Sequence, residues 1–417
     1  MNAYGVNEQA DRDRTGEIVQ WLIAEARLSL APPELIDRFC HWLVDLGVPL
    51  WRLRAGQRLA NPLAGAWGVI WTRDGSHAHE YTVPRTMLST SAYYGSPFQY
   101  VIERRQSFRR RLLDLDPERD HEVLHEMAAA GGTDYLAVPL EYGDGSVQGL
   151  SLVSDGKEGF ADSHLELIER LRQPLAAALE PTAMRRSSVS LLRTFLGDGP
   201  AEAVVAGAIQ RGDRRRIEAA ILFCDLHGFT KMGERLGEAD LFAALDRYFE
   251  AVVEAVRGAG GDVLKFLGDG VLAIFPVRAG RTEACRAALA AVKGAGERLA
   301  GVAAADGTPL TFTATMHVGQ VAYGNIGSRD RLDFTVLGPA VNLVSRLEGL
   351  AKDLGRPLLC SAAFAEAVDE PVAFLGRFPM KGVAEPQEIF APSAGGHASS
   401  ADARDAAASA PTAERSE

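Results

Sequence analysis

The chain has 417 residues, 47% of them hydrophobic and 24% charged, the balance of a soluble globular protein long enough for two domains and a linker. Its 44 basic and 55 acidic side chains leave a formal net charge of −11, which argues against nucleic acid as a main partner. Four scattered cysteines (Cys40, Cys224, Cys285, Cys360) exclude a disulfide framework or a CxxC metal site and point to a reducing compartment.

No stretch approaches the roughly 18 consecutive apolar residues that span a bilayer. The opening MNAYGVNEQADRDR is polar and acidic, unlike a signal peptide. The expectation is a cytoplasmic chain with no membrane partner. Arginine clusters at Arg104–Arg105, Arg109–Arg111 and Arg214–Arg216 are each flanked by acids, so they are expected on solvated faces or helix ends. All five tryptophans lie in the first 71 residues, whereas the glycine-rich motifs follow residue 216. That asymmetry predicts two domains of different kinds.

From Ile18 to Leu46 the apolar residues recur every three or four positions, as in helices packed on a core. GAWGVIWTRDG reads as a buried strand. Residues 134–153 read as two strands joined at Gly143-Asp144-Gly145, a good hairpin turn. Ser163-His-Leu-Glu166 has the capping-box pattern, and Leu165, Ile168, Leu171, Leu175 and Leu179 form the apolar face of the helix that follows. Pro174 predicts a kink or break within it. Helices, an antiparallel hairpin and a closing helix resemble a GAF sensor domain, above all in PLEYGDGSVQGLSLVSDGKEGFADSHLELIERL. The resemblance implies a GAF-like α/β domain over 14–183 with a possible small-molecule ligand.

Residues 184–216 read as a helical connector, with an apolar stripe at Val189, Leu192, Phe195 and Leu196 and a stop at Gly197-Asp198-Gly199-Pro200. A short helix, EAVVAGAI, then runs into the basic turn RGDRRR. Such stripes either pair with a second copy or pack on the chain's own domains. The Ala/Ser-rich tail, 393–417, has hardly any large apolar residue and is expected to be disordered.

Ile217–Asp225 is an apolar run that delivers a carboxylate at its end, followed by Leu-His-Gly-Phe-Thr. Gly228 lets the backbone approach a ligand closely, and the N–H groups of Gly228, Phe229 and Thr230 would form an anion site. An amphipathic helix over 239–257 comes next. GGDVLKFLGDGVLAIF then reads as a hairpin with Asp269 at its tip. If its strands neighbour the first one, Asp225 and Asp269 meet at one end of the sheet. Two such carboxylates suit a pair of Mg²⁺ ions about 4 Å apart, with Mn²⁺ a possible substitute, clamping a phosphoryl group. Single strand-end aspartates are more often structural; the pairing with glycine turns is what points to function. LDFTVLGPAVNLVSRLE gives a strand, a Gly-Pro break and a helix on which Asn342 and Arg346 share a face. Without context that pair would be surface decoration.

FCDLHGFT, KFLGDG and FTVLGPAVNLVSRLE, in this order and at these intervals, resemble the three signature blocks of class III adenylyl and guanylyl cyclases over 217–392. The resemblance implies an α+β, ferredoxin-like catalytic domain with helices on one face of its sheet. It implies metal ligands at Asp225 and Asp269, and purine recognition by Lys265 and Thr335. It also implies a ribose-orienting Asn342, an α-phosphate-stabilising Arg346, and Lys381 gripping the terminal phosphates. Each family site needs two subunits, so a chain carrying both sets implies a homodimer with ATP bound at the interface. The Lys265 ammonium can only donate, which suits adenine N1 and conflicts with guanine N1–H. A buried mismatch costs roughly 1–3 kcal/mol, so ATP is favoured without absolute exclusion of GTP. Thr335 stands where many members carry Asp, as in a recognised subgroup. His227 is expected to face solvent. Gly260-Gly261-Asp262 resembles part of the diguanylate cyclase signature, but the acidic hairpin turn here is Gly268-Asp269 and the Asn–Arg helix is present. A catalytically silent nucleotide-binding module is the rival of a different class, and a guanylate cyclase the rival within the family.

Overall fold

The computed structural model describes residues 13–392, except residues 60, 63, 76 and 384. The tail over 393–417 and the first 12 residues lie outside the described residues. The chain divides into two compact units between Thr194 and Phe195.

The first unit holds β1 (Leu50–Arg58), β2 (Ala64–Thr72), β3 (His79–Pro84), β4 (Phe108–Arg111), β5 (Asp134–Glu141) and β6 (Val147–Ser154). They form one antiparallel sheet in the order β3-β2-β1-β6-β5-β4. Because side chains alternate across a strand, Leu53, Ala55, Leu136 and Leu152 share one face. There they pack on Leu35, Ile36 and Phe39 of the helix Pro32–Asp45 and on Ile168, Leu171 and Leu175 of a long helix. The other face is partly covered by the helices Pro97–Arg104 and Glu122–Ala129. The β5–β6 hairpin turns where the sequence indicated, with Gly145 at φ 82° closing it.

Some local expectations are corrected. The long helix runs from Asp162 to Leu196 through both Pro174 and Pro181, so no break occurs. Its buried face, ending at Ala183, holds the helix to the sheet despite the lost N–H groups. The stripe read as the start of a connector lies on the end of this same helix, with Val189, Leu192 and Leu196 half-buried and Phe195 exposed. Ser163 lies inside the first turn; the N–H of Ala161 is met instead by His164 Nδ1 at 3.1 Å, so the capping box does not form. Arg109 is exposed, as expected, and Arg111 half-buried, but both also face an internal carboxylate. They sit on β4, and Arg109 Nη2 lies 2.7 Å from the fully buried Asp134, which also accepts from the Phe160 N–H at 3.0 Å. A buried carboxylate persists only with such partners.

The second unit holds β7 (Arg214–Leu226), β8 (Asp262–Leu267), β9 (Gly270–Pro276), β10 (Phe312–Gly327), β11 (Leu332–Leu337), β12 (Leu358–Ser361), β13 (Val372–Phe378) and β14 (Gln387–Pro392). The order is β13-β14-β12-β10-β7-β9-β8, with β11 pairing β10; β10–β12 is the parallel pair. Arg214–Arg216, read as a turn, begin the central strand and pair with Ala322–Gly324. One face of the sheet buries Leu222, Cys224 and Ala273 against the helices Glu238–Gly258 and Arg281–Leu299. The opposite face is also covered: Ile221, Ile274 and Val321 meet Ala340 and Val344 of the helix Pro339–Leu354. The expectation of helices on one face alone is therefore corrected. All four cysteines are buried and unpaired.

Candidate active site

β7 ends on Asp225 and Leu226, and its neighbour β9 starts at Gly270, which stands directly across from Asp225. Asp269, at the tip of the β8–β9 hairpin, is therefore beside Asp225 at one end of the sheet. Two glycines permit the approach. Gly268 takes φ 67°, and a methyl group on Gly270 would lie 2.7 Å from the Phe223 ring. Burial raises the Asp269 carboxyl above its ordinary pKa, and the negative charge of Asp225 raises it further. A pair of carboxylates in this condition is short of positive charge.

Part of that charge comes from Lys352, which sequence reasoning missed. Its Nζ lies 2.8 Å from Asp225 Oδ2 and also pairs with Glu348 one turn earlier on the same helix. Hydrogen bonds to Asp225 and then Glu348 raise the pKa of this ammonium. The only sequence signal was the Glu348–Lys352 spacing, which by itself reads as a surface pair. Tyr248, from the helix Glu238–Gly258, is fully buried in the same region with an unpartnered hydroxyl.

Gly228, at φ 71°, turns the chain from β7 into the helix Phe229–Arg235; Phe229 packs on the core and Thr230 is exposed. His227 is exposed, as expected, and its ring is also held by two threonines. Its Nδ1 meets Thr311 Oγ1 at 3.1 Å and its Nε2 meets Thr313 Oγ1 at 2.5 Å. Burial lowers its pKa, opposed by Asp225.

A second group gathers around β8 and β11. The register of β8 shifts between Val263 and Lys265, an irregularity that re-aims side chains. The Lys265 ammonium forms an ion pair with Asp333. Asp333 lies two residues before Thr335 and so shares its side of β11. Thr335 is 5% exposed. Asp333 was the second residue missed, although its spacing from Thr335 was visible.

Asn342 and Arg346 occupy one face of the helix Pro339–Leu354, Asn342 exposed and Arg346 half-buried. A methyl group on Gly382 would lie 3.2 Å from Arg346 Nη2, so the exposed Lys381 is on the turn that borders this guanidinium. The structure thus gathers three clusters: Asp225 with Asp269, Lys265 with the strand of Thr335, and Arg346 with the Lys381–Gly382 turn. It does not bring Asn342 to its own Asp225. Lys352 marks the Asp225 end of the helix, and Asn342, ten residues earlier, is about 15 Å away along the axis.

The second unit has known relatives. Residues 213–355 match the family model for the adenylate and guanylate cyclase catalytic domain. Adenylate cyclase 1 of Rhizobium meliloti is 33% identical over 182 residues, 42% of this chain and 27% of that protein. Adenylate cyclase of Anabaena cylindrica is 33% identical over 168 residues, 39% of this chain and 33% of that protein. The chain therefore spans about a third or less of these curated relatives. The crystal structure of the adenylyl cyclase CyaB from P. aeruginosa, 24% identical with a TM-score of 0.38, covers 43% of this chain and 95% of its own. The likeness to adenylate and guanylate cyclase catalytic domains thus lies in residues 213–355, about a third of the chain.

Proposed function

We propose that the chain is an adenylate cyclase, converting ATP to 3′,5′-cyclic AMP and pyrophosphate. The observation that carries this reading is the adjacency of Asp225 and Asp269 within the family-matched segment. The ribose 3′-oxygen forms a bond to the α-phosphorus, the bond from that phosphorus to the β-phosphate bridging oxygen breaks, and the hydroxyl proton passes to solvent or phosphate. Little covalent chemistry falls to the protein, so positioning and charge neutralisation dominate.

The residues fit divalent metal. Among the described residues no group of three or more His, Cys, Asp or Glu side chains gathers as a metal cage. Mg²⁺, however, is commonly held by one or two carboxylates with substrate phosphate and water completing its shell. Asp225 and Asp269 would hold it, and their mutual repulsion favours a cation. When bound, Mg²⁺ or Mn²⁺ would lower the 3′-hydroxyl pKa and neutralise phosphoryl charge. Lys265 would donate to adenine N1 and Thr335 would accept from N6. Asn342 would orient the ribose, Arg346 would stabilise the α-phosphate, and Lys381 with the backbone N–H groups of Gly228, Phe229 and Thr230 would hold phosphate oxygens.

The separation of Asn342 from its own Asp225 supports a homodimer in which each active site draws one set from each subunit. Phe266 and Leu267, 51% and 49% exposed beside Asp269, fit a covered surface there. The first unit is read as a GAF-like regulatory domain, supported by its antiparallel sheet with helices on both faces.

The test incubates the full chain with ATP or GTP and Mg²⁺ or Mn²⁺. The expected result is metal-dependent cyclic AMP from ATP, lost by about a hundredfold or more in Asp269→Ala, since metal assistance supplies several kcal/mol. Cyclic GMP as the dominant product would replace the adenylyl reading with the guanylyl one. No cyclic product from either nucleotide would favour a silent nucleotide-binding module.

A further inference from the structure

The face of the first sheet opposite Leu53 and Ala55 carries a cavity of about 360 Å³. Gly56 lines it and belongs to a row of three glycines across the sheet. Gly56 on β1 stands across from Gly68 on β2 and from Gly149 on β6. A methyl group would lie 2.7 Å from the Phe98 ring at Gly56, 2.5 Å from the same ring at Gly149, and 2.5 Å from the Tyr81 hydroxyl at Gly68. Glycine weakens a strand interior and marks places where another group comes close to the backbone. Three in cross-strand register let the rings of Phe98 and Tyr81 descend onto the sheet.

Arg52 and Arg54 rise from β1 on this face, two residues apart. Arg54 is fixed: its Nε donates to the Tyr81 hydroxyl at 2.8 Å, and its guanidinium carbon lies 4.5 Å from the Tyr81 ring centre and 5.2 Å from that of Phe98. Arg52 is half-buried, and among the described residues no hydrogen bond or ion pair reaches its guanidinium. Burial and then repulsion from Arg54 lower its pKa, against weaker attraction from Tyr135 and Glu126. Glu122 and Glu126 are in the wall, yet neither forms an ion pair with it. Tyr93 also lines the cavity, and its hydroxyl is buried without a partner. Two guanidiniums close together with no carboxylate between them lack an anion, since an unpaired charge out of water is costly.

We propose that this cavity binds a small organic anion, its carboxylate or phosphate held by Arg52 and Arg54 and its flat apolar body packed on Phe98 and Tyr81. The guanidinium fork matches either anion with paired hydrogen bonds. The volume falls at the small end of ordinary ligand pockets, room for one or two fused rings. Every lining residue belongs to the first unit.

Calorimetry on the full chain tests this with 1-naphthoate, 1-naphthyl phosphate and the neutral 1-naphthamide. At least one anion is expected to bind once per chain, about tenfold or more tighter than the amide, and the tighter anion identifies carboxylate or phosphate as the natural headgroup. Arg52→Gln, which removes no hydrogen bond or ion pair found among the described residues, is expected to weaken that anion by about tenfold while leaving the amide unchanged. An amide that binds as tightly as the anions, an anion affinity untouched by Arg52→Gln, or no anion binding at millimolar concentration would each overturn the proposal. Should the variant not fold, the comparison of anion with amide on the unsubstituted chain still decides.

Discussion

Lys265 is already engaged, because Asp333 holds its ammonium. With side chains 30% and 44% exposed, this ion pair is worth at most about 1 kcal/mol. On the proposed adenylyl reading, adenine N1 would draw the ammonium away at small cost, while guanine N1–H, a donor, would offer nothing in exchange. Lys265→Glu places a second carboxylate beside Asp333 and an acceptor where adenine needs a donor. The ratio of kcat/KM for ATP over GTP is expected to fall by roughly tenfold or more, the cost of one mismatched buried polar contact. Steady-state kinetics with both nucleotides checks this, and an unchanged ratio would remove Lys265 from purine selection.

Among the elements, the helix Asp162–Leu196 carries the clearest stored cost. Pro174 lacks an N–H for the carbonyl four residues earlier, and an interior proline costs about 3 kcal/mol relative to alanine. Pro174→Ala is expected to stabilise the first unit by up to that amount. Urea unfolding followed by tryptophan fluorescence reads it directly, since all five tryptophans lie in this unit. A lower midpoint would mean that the proline ring's packing outweighs the missing hydrogen bond. The same helix shows where local reading of the sequence stops. Hairpins at Gly143–Gly145 and Gly268–Asp269 were legible because their turn chemistry is contained in a few residues. The continuity of the helix past Pro174 was not, because it depends on burial against β1, β5 and β6. The ion pair of Arg109 and the strand at Arg214–Arg216 were missed for a related reason, although these arginines are exposed as expected: their partners, Asp134 and β10, are distant in sequence. In the site, Asp225 and Asp269 were legible from strand ends and glycine turns, whereas Lys352 needed the helix to be laid across the sheet.

For the whole molecule, the separation of Asn342 from its own Asp225 has a stoichiometric consequence. Asp269→Ala and Arg346→Ala should each be inactive alone. In a dimer of one of each, one site carries both substitutions and the other carries neither. After random exchange of subunits, about half of the dimers are mixed and half of their sites are intact, so about a quarter of the unsubstituted activity should return. Cyclic AMP assays on co-refolded mixtures measure this, and no recovery would mean that each chain completes its own site.

The ammonium of Lys352 on Asp225 gives the two-carboxylate end of the sheet a cation of its own. On the proposed reading, a divalent ion held by Asp225 and Asp269 would take the place of this tethered charge, which would swing aside on its flexible stem. The change from resting to loaded would then be a handover between two positive charges, and metal would govern activity without being needed to balance this end of the sheet.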